Sequence, residues 1–351
     1  MRLFSAYICL KFNSLNFRYI ILFFLFSPLF SWSQSGFESI LLAVESDSKK
    51  IFERYLDPMM KGAIYSSNAG WYSTAKVHKK LGIDLSLRLN TSFVPSADRV
   101  FSISDLDYIS TDAENLPTIA GESRQENLFI TIPADGIYPE ITSTIKSPKG
   151  IKSKLPLGAI PAPVLQLGVG VPFDTELIIR YSPEYHRNGV DMSLKGLGLK
   201  HNLLQYFGPI DKVPLNVSAF ASYSNMDIDY DVQSFSSLNG SGQVAQFSLN
   251  NYNFLLLASL DLLVVDFYTS FGYSGGSSSF KLLGNYDLEY NSASGIPINK
   301  SLIDPIDMNF NASGYRTTIG ARFKFLVFSA FADFTFQRYN TLSAGISVNF
   351  R

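Results

Sequence analysis

The stretch that decides the fold runs from Thr341 to Phe350 and reads Thr-Leu-Ser-Ala-Gly-Ile-Ser-Val-Asn-Phe, followed by Arg351. Apolar side chains occupy every second position, and polar or small side chains occupy the positions between them. A period of two predicts a strand with one apolar and one polar face. A strand closing a soluble sandwich alternates in the same way. A terminal strand ending in an aromatic residue, on a chain with an export signal, favours the closing strand of an outer-membrane β-barrel.

The composition agrees with a membrane barrel. Hydrophobic residues make up 46% of the 351 residues and charged residues only 17%, below the usual quarter for soluble domains. The chain has 29 Phe and 19 Tyr, as expected where aromatic girdles mark two membrane interfaces. Its formal charge of −1 shows no basic excess, so nucleic acid is not expected as a partner.

The N-terminus carries the features of a signal peptide, which we place at residues 1–33. Arg18 precedes an apolar run from Tyr19 to Phe26, and the small residues Ser31 and Ser33 suit a signal peptidase. An uncleaved anchor helix is the alternative, but the apolar run is too short to span comfortably. Cleavage would remove the only cysteine and would leave a mature chain without thiol chemistry.

Residues 34–80 are predicted to be a helical and Gly-rich segment preceding the barrel. Apolar residues recur at helical spacing over 37–61, with a polar break at Ser46–Ser48, and Pro58 stands where the second helix should end. This pattern predicts a pair of amphipathic helices. The pair could plug the barrel lumen or form a periplasmic lid.

Residues 81–351 are predicted to form an all-β, antiparallel, up-and-down transmembrane barrel. The first strand alternates from Ile83 to Asn90, four hairpins follow, and the terminal strand closes the set. Ten strands are the minimum, and twelve or fourteen are possible if 95–161 contributes. Turns near 172, 208, 262 and 326 are short, whereas 95–161, 225–246 and 275–313 are predicted as long loops. The short turns would be periplasmic.

Charged residues of the predicted strands share the face opposite the apolar one and are expected to face the lumen. These residues are Asp84, Arg88, Glu176, Arg180, Arg316, Arg322, Lys324 and Asp333. In a narrow barrel they would pair and fill the interior, and in a wider one they would set solute selectivity.

Catalysis is not expected, and neither a cofactor nor a metal site is predicted. The three histidines, His78, His186 and His201, show neither a zinc-binding helical spacing nor a Gly-x-Ser-x-Gly nucleophile elbow. The predicted partners are outer-membrane lipid and a small, possibly hydrophobic, solute.

The stretch Gly70-Trp71-Tyr72-Ser73-Thr74-Ala75-Lys76, with His78-Lys79, Leu81-Gly82 and Asp84-Leu85 after it, resembles the signature of an uncharacterised outer-membrane barrel family of the Bacteroidota. Leu116-Pro117-Thr118, Gly168 to Pro172 and Thr175 to Ile178 are similar to that family's pattern as well. The plan of a helical segment before a barrel is similar to that of the long-chain fatty-acid transporters, in architecture only. The resemblance implies no catalytic or substrate-binding residues.

Two functions follow as hypotheses. In the first, the barrel passes or binds a small solute across the outer membrane, with residues 37–80 gating the lumen. In the second, the barrel has a structural or surface-interaction role carried by long extracellular loops.

Overall fold

The computed structural model describes residues 45–132, 141–187, 189–207, 214–232, 239–291 and 297–350. The predicted signal peptide at residues 1–33 and the first part of the predicted helical segment lie outside these ranges. Ten antiparallel strands form a closed ring in which each strand pairs with its neighbours in the chain. The strands are β1 Ile83–Ser92, β2 Ile160–Val171, β3 Thr175–Arg187, β4 Val190–Asn202, β5 Leu215–Asp231, β6 Asn239–Asp261, β7 Val265–Asn291, β8 Ile306–Phe325, β9 Phe328–Phe336 and β10 Thr341–Phe350.

The ring closes between its first and last strands. Ile83 of β1 lies opposite Phe350 of β10, and Ser92 lies opposite Thr341. We call the end carrying Ile83 and Phe350 the terminal end, and the opposite end, which carries residues 93–159, the loop end. The predicted up-and-down barrel of ten strands is confirmed, and residues 95–161 add no strand to the ring in the described part of the chain.

The lower part of the ring, toward the terminal end, is polar inside and apolar outside. On β1, Asp84, Arg88 and Asn90 are buried, while Leu85 and Leu89 are exposed. Exposed apolar side chains continue around the ring, where Leu199, Leu256, Phe271, Ile319 and Ile346 are examples. This inversion of the usual pattern is the one that a transmembrane barrel requires.

The long strands reverse this pattern toward the loop end. On β8, the inward-facing side chains near the terminal end are the polar Arg316 and Thr318, whereas those near the loop end are the apolar Met308 and Phe310. The outward-facing side chains change in the opposite sense, from the apolar Ile319 to the polar Asn311. The change falls at Tyr315, which stacks on its neighbours in β7. The outer part of the strands is therefore built like a soluble protein, with its apolar face turned inward.

One helix, α1 Glu45–Asn68, packs against this inward apolar face. Its buried side chains are Ile51, Phe52, Tyr55, Leu56, Met60 and Ile64. The predicted end near Pro58 is wrong, because the helix continues to Asn68 with Pro58 inside it. A proline in a helix costs about 3 kcal/mol. Burial of each large apolar residue stabilises by about 1.5–3 kcal/mol, so the side chains on both sides of Pro58 outweigh the cost.

The predicted long loops at 225–246 and 275–313 are also corrected, since most of both ranges is strand. The paired strands β6 and β7 continue there as one ladder, in which backbone hydrogen bonds tolerate Ser, Asn and Gly. A short strand, Pro297–Ile303, pairs with the outer part of β7. Residues 93–132 and 141–159 contain two small sheets, one from Val100–Phe101 with Leu116–Pro117, and one from Ile109–Ser110, Asn127–Ile132 and Ile141–Lys146. The described residues also include four 3₁₀ turns, at Ser96–Arg99, Lys152–Lys154, Pro156–Gly158 and Leu204–Tyr206.

Candidate functional site

The interior of the ring is occupied by the chain itself. Helix α1 begins at the loop end, where Asp47 accepts a hydrogen bond from the backbone of Tyr108 at 2.8 Å. Residues 69–80, here called the threading segment, then run through the ring. They leave it at the terminal end, where the backbone of Leu81 donates to Gly170 at 2.8 Å. No helix among the described residues is both long enough and apolar enough to cross a bilayer.

Two arginines of the ring wall bind the C-terminal end of α1. Arg180 donates to the carbonyls of Ser67 at 2.8 Å, Ala69 at 2.9 Å and Gly70 at 2.7 Å. From another part of the wall, Arg316 donates to the carbonyl of Asn68 at 2.9 Å. The last carbonyls of a helix lack partners within it and carry its negative dipole end. The last turn of α1 contains no basic residue of its own, so the wall supplies the positive charge.

Trp71 lies directly against Arg180. The guanidinium carbon is 3.7 Å from the centroid of the indole ring, a cation–π contact in a fully buried setting. Gly196 and Gly198 of β4 make room for the indole, because a Cβ at either position would lie within 3.2 Å of it. The backbone carbonyl of Trp71 accepts a hydrogen bond from Gln166 at 3.0 Å.

Wall side chains satisfy the backbone of the rest of the threading segment. Ser218 donates to the carbonyl of Ala75 at 2.6 Å, and the backbone of Ala75 donates to Ser259 at 3.1 Å. A buried apolar cluster surrounds these contacts and comprises Trp71, Tyr72, Ala75, Ile178, Phe220, Leu255, Leu257 and Tyr268. The segment is therefore held by polar contacts to its main chain and by apolar contacts to its large side chains.

Ion pairs hold the segment near the terminal end. Glu176 of β3 lies 2.9 Å from Lys200 of β4 and 2.8 Å from the imidazole of His78. Lys76 pairs with Asp261, which also pairs with Lys324. Wall and segment thus share one set of charges at this end.

The remaining charged residues predicted for the lumen are placed as follows. Arg88 is buried, donates to Ser86 at 3.0 Å and lies 4.3 Å from the centroid of Phe331. Arg322 lies 3.9 Å from Asp266.

The two predicted acids besides Glu176, Asp84 and Asp333, are buried, and Asp333 accepts a hydrogen bond from Tyr268 at 2.9 Å. Lys324 is partly exposed at the terminal end, where it lies 2.6 Å from Asp266.

Sequence reasoning missed several residues of this interior. Lys200 follows the outward-facing Leu199, and Asp266 stands between Val265 and Phe267, on predicted strands, so the period of two alone could have assigned both to the inner face. Trp71 and Asn68 carry no comparable signal, because residues 68–80 show no regular period. Their positions depend on contacts with residues far away in the chain.

At the loop end, residues of α1 and of the range 97–118 line an open cavity of about 490 Å³. Its lining includes Lys50, Arg54, Asp98 and Phe101. On the same face of α1, Arg54 donates to both carboxylate oxygens of Asp105, at 2.7 Å and 2.6 Å. This hydrogen-bonded contact lowers the pKa of Asp105 to about 2.

Two of the three histidines can be located by their side chains, and the side chain of His186 lies outside the described part. His78 belongs to the ion pairs of Glu176. His201 has its Nδ1 2.7 Å from the hydroxyl of Thr175, and its Nε2 lies 3.0 Å from that of Tyr206. Among the described residues, no group of three or more His, Cys, Asp or Glu side chains is arranged to hold a metal ion.

Comparison with solved structures finds β-barrel proteins of bacterial outer membranes. The attachment invasion locus protein Ail of Yersinia pestis has a TM-score of 0.28 at 9% identity, covering 77% of this chain and 99% of that one. The translocator domain of the autotransporter NalP from Neisseria meningitidis has a TM-score of 0.28 at 9% identity, covering 83% and 93%. A FadL homologue of Pseudomonas aeruginosa has a TM-score of 0.20 at 9% identity, covering 77% and 89%. Values this low carry no argument about function.

Comparison with sequences is more decisive. No curated protein matches the chain. A family of unknown function, DUF6588, matches residues 13–350, which is nearly the whole chain. The chain therefore belongs to the DUF6588 family.

Proposed function

We propose that the protein is an outer-membrane β-barrel that is closed by residues 45–80 and passes a small solute only when this plug is displaced. The observation that carries the proposal is the set of hydrogen bonds from wall side chains to the main chain of the plug, above all those of Arg180 and Arg316. Water can replace these bonds when the plug moves, whereas the apolar contacts of α1 and of the cluster around Trp71 favour the closed state. The proposal contains no catalytic step.

The outer face of the ring supports a membrane location. From Val265 to Tyr273, outward residues of β7 are apolar or small, and beyond Tyr273 they are Gly, Ser and Lys. This stretch spans about 26 Å along the strand, or about 20 Å across a bilayer at a tilt near 40°. The apolar band of outer-membrane barrels is about 25 Å tall. The loop end, with the longer connection at 93–159, would face the cell exterior.

The test is the permeability of proteoliposomes to small sugars, measured by osmotic swelling. The full chain is expected to swell the vesicles slowly. A variant with Arg180 and Arg316 both replaced by alanine keeps the plug but loses the hydrogen bonds that these two side chains donate to its main chain, so it is expected to swell the vesicles several-fold faster. A second variant lacking residues 45–68 should do the same.

Folding of each variant is checked by the shift in gel mobility between heated and unheated samples. Arg124→Ala, at an exposed position outside the ring, serves as the matched control. If folded variants with a weakened or shortened plug are no more permeable than the full chain, gating by residues 45–80 is wrong.

A second candidate function is binding at the cell surface, and the cavity beside α1 favours it. Lys50→Glu combined with Phe101→Glu tests this role, because both residues line the cavity. Cells carrying this variant should lose adhesion to surfaces that bind cells carrying the unchanged protein. Unchanged adhesion would count against surface binding through this region.

A further inference from the structure

Three arginines on the inner wall of the ring form no direct ion pair with any residue that the structure describes. Arg88, Arg180 and Arg316 are each only 2% exposed. Asp84 and Asp333 attract Arg88, and Asp333 attracts Arg316, without direct contact. Buried charges are ordinarily paired directly, so three guanidinium groups without a direct ion pair in one interior need an explanation.

The hydrogen-bond partners of two of these arginines are neutral and are divided between the plug and the wall, since Arg180 also donates to Gln166 and Arg316 also donates to Asn253, Thr318 and Thr335. Arg180 and Arg316 donate to backbone carbonyls of residues 67–70. Arg88 makes no hydrogen bond to the plug, and its Nη1 has no partner in the described part of the chain. The Nε of Arg316 also lacks one there. In the closed state, these N–H groups of the wall therefore have no hydrogen-bond acceptor within the described ranges.

The other buried cations of the wall are held differently. Lys200 is paired with Glu176, and Arg322 lies beside Asp266. All four of these residues belong to the wall, so their charges remain balanced when the plug moves. Displacement of residues 67–70 would instead leave Arg180 and Arg316 without their carbonyl partners, in the same interior as Arg88.

From this arrangement we propose that the solute admitted by the open barrel is a small anion, bearing a carboxylate or phosphate group, that is drawn by Arg88, Arg180 and Arg316. This inference rests on the proposed gating function and specifies its substrate class. Guanidinium groups bind carboxylate and phosphate oxygens through two parallel hydrogen bonds. A ring of such groups in a narrow passage favours anions over cations.

The experiment measures the reversal potential of single channels in a planar bilayer under a tenfold KCl gradient. In this experiment the full chain carries Gly70→Ala, which replaces none of the three arginines. The substitution strains the plug, because Gly70 has a φ of +64° and a Cβ there would meet Asn90 at 2.1 Å. Openings are expected to favour chloride over potassium. Arg88→Gln, which removes no hydrogen bond to the plug among the described residues, should lower the chloride-to-potassium permeability ratio at least about twofold at an unchanged frequency of opening.

The matched control is Arg124→Gln, which removes an equal charge outside the ring and should leave the ratio unchanged. Openings that favour potassium, or a ratio that Arg88→Gln does not alter, would overturn the anion inference and leave gating intact. If the Gly70→Ala variant and the variant lacking residues 45–68 both fold but never open, the gating proposal fails and the anion inference fails with it.

Discussion

Replacement of Arg180 by alanine is the sharpest single perturbation of the closed state. The side chain donates three hydrogen bonds to the carbonyls of Ser67, Ala69 and Gly70 and covers the face of Trp71. Alanine removes all of these contacts at once. The wall strand that carries residue 180 keeps its backbone pairing on both sides, so the ring itself should still close.

The size of the effect follows from these contacts. A hydrogen bond to a charged group contributes about 1.5–3 kcal/mol, but three bonds from one side chain do not add fully, and removal of a buried charge recovers part of its desolvation cost. We therefore expect the closed state to lose about 3 kcal/mol relative to the open state. Since 1.4 kcal/mol is a factor of ten, the ratio of open to closed states should rise about a hundredfold.

Single-channel recording in planar bilayers measures this ratio as the open probability. Arg322→Ala is the matched control, because Arg322 is also a buried arginine of the wall but contacts the wall residues Asp266 and Asn349. It is expected to lower thermal stability without opening the barrel. Equal open probabilities for Arg180→Ala and Arg322→Ala would refute the assignment of Arg180 as the contact that holds the plug.

Three further predictions follow from the trace of the chain and from its outer surface. With Cys9 replaced by serine, Lys49→Cys should react with a membrane-impermeant maleimide on intact cells, whereas Lys80→Cys should react only after permeabilisation; the reverse result would invert the orientation. Ile319→Arg, in the apolar band, should destabilise the folded barrel by about 2–4 kcal/mol in urea unfolding from liposomes. Asn311→Arg, on the same face of β8 but beyond Tyr315, should cost close to nothing, and equal costs would contradict the proposed membrane boundary. Gly70→Ala should lower the free energy of unfolding by about 1–3 kcal/mol because of the positive φ of Gly70, and should therefore lower the melting temperature. An unchanged melting temperature would show that the plug is not held rigidly at this point.

The sequence-based predictions are wrong where the structure of a segment depends on its contacts with a distant part of the chain. The sequence predicts too early an end for α1 because Pro58 is a local signal, whereas the continuation to Asn68 depends on an apolar wall from β6, β7 and β8. It predicts loops for the outer parts of these strands because Asn and Gly disfavour strands locally. The ladder between β6 and β7 satisfies their backbone regardless of those side chains.

The sequence by itself determined a closed ring of at least ten strands. Alternation with a period of two assigns each residue of a strand to one face, and ten such strands with one apolar face can satisfy every backbone group in lipid only by closing on themselves. Only the tertiary structure decided what fills the ring. Contacts between distant parts of the chain set the path of the threading segment and place Trp71 against Arg180. They also leave three arginines of the wall without a direct ion pair in the part of the chain that the structure describes. No local period records such contacts, because a side chain's neighbours across a lumen depend on the register and curvature of every strand between them.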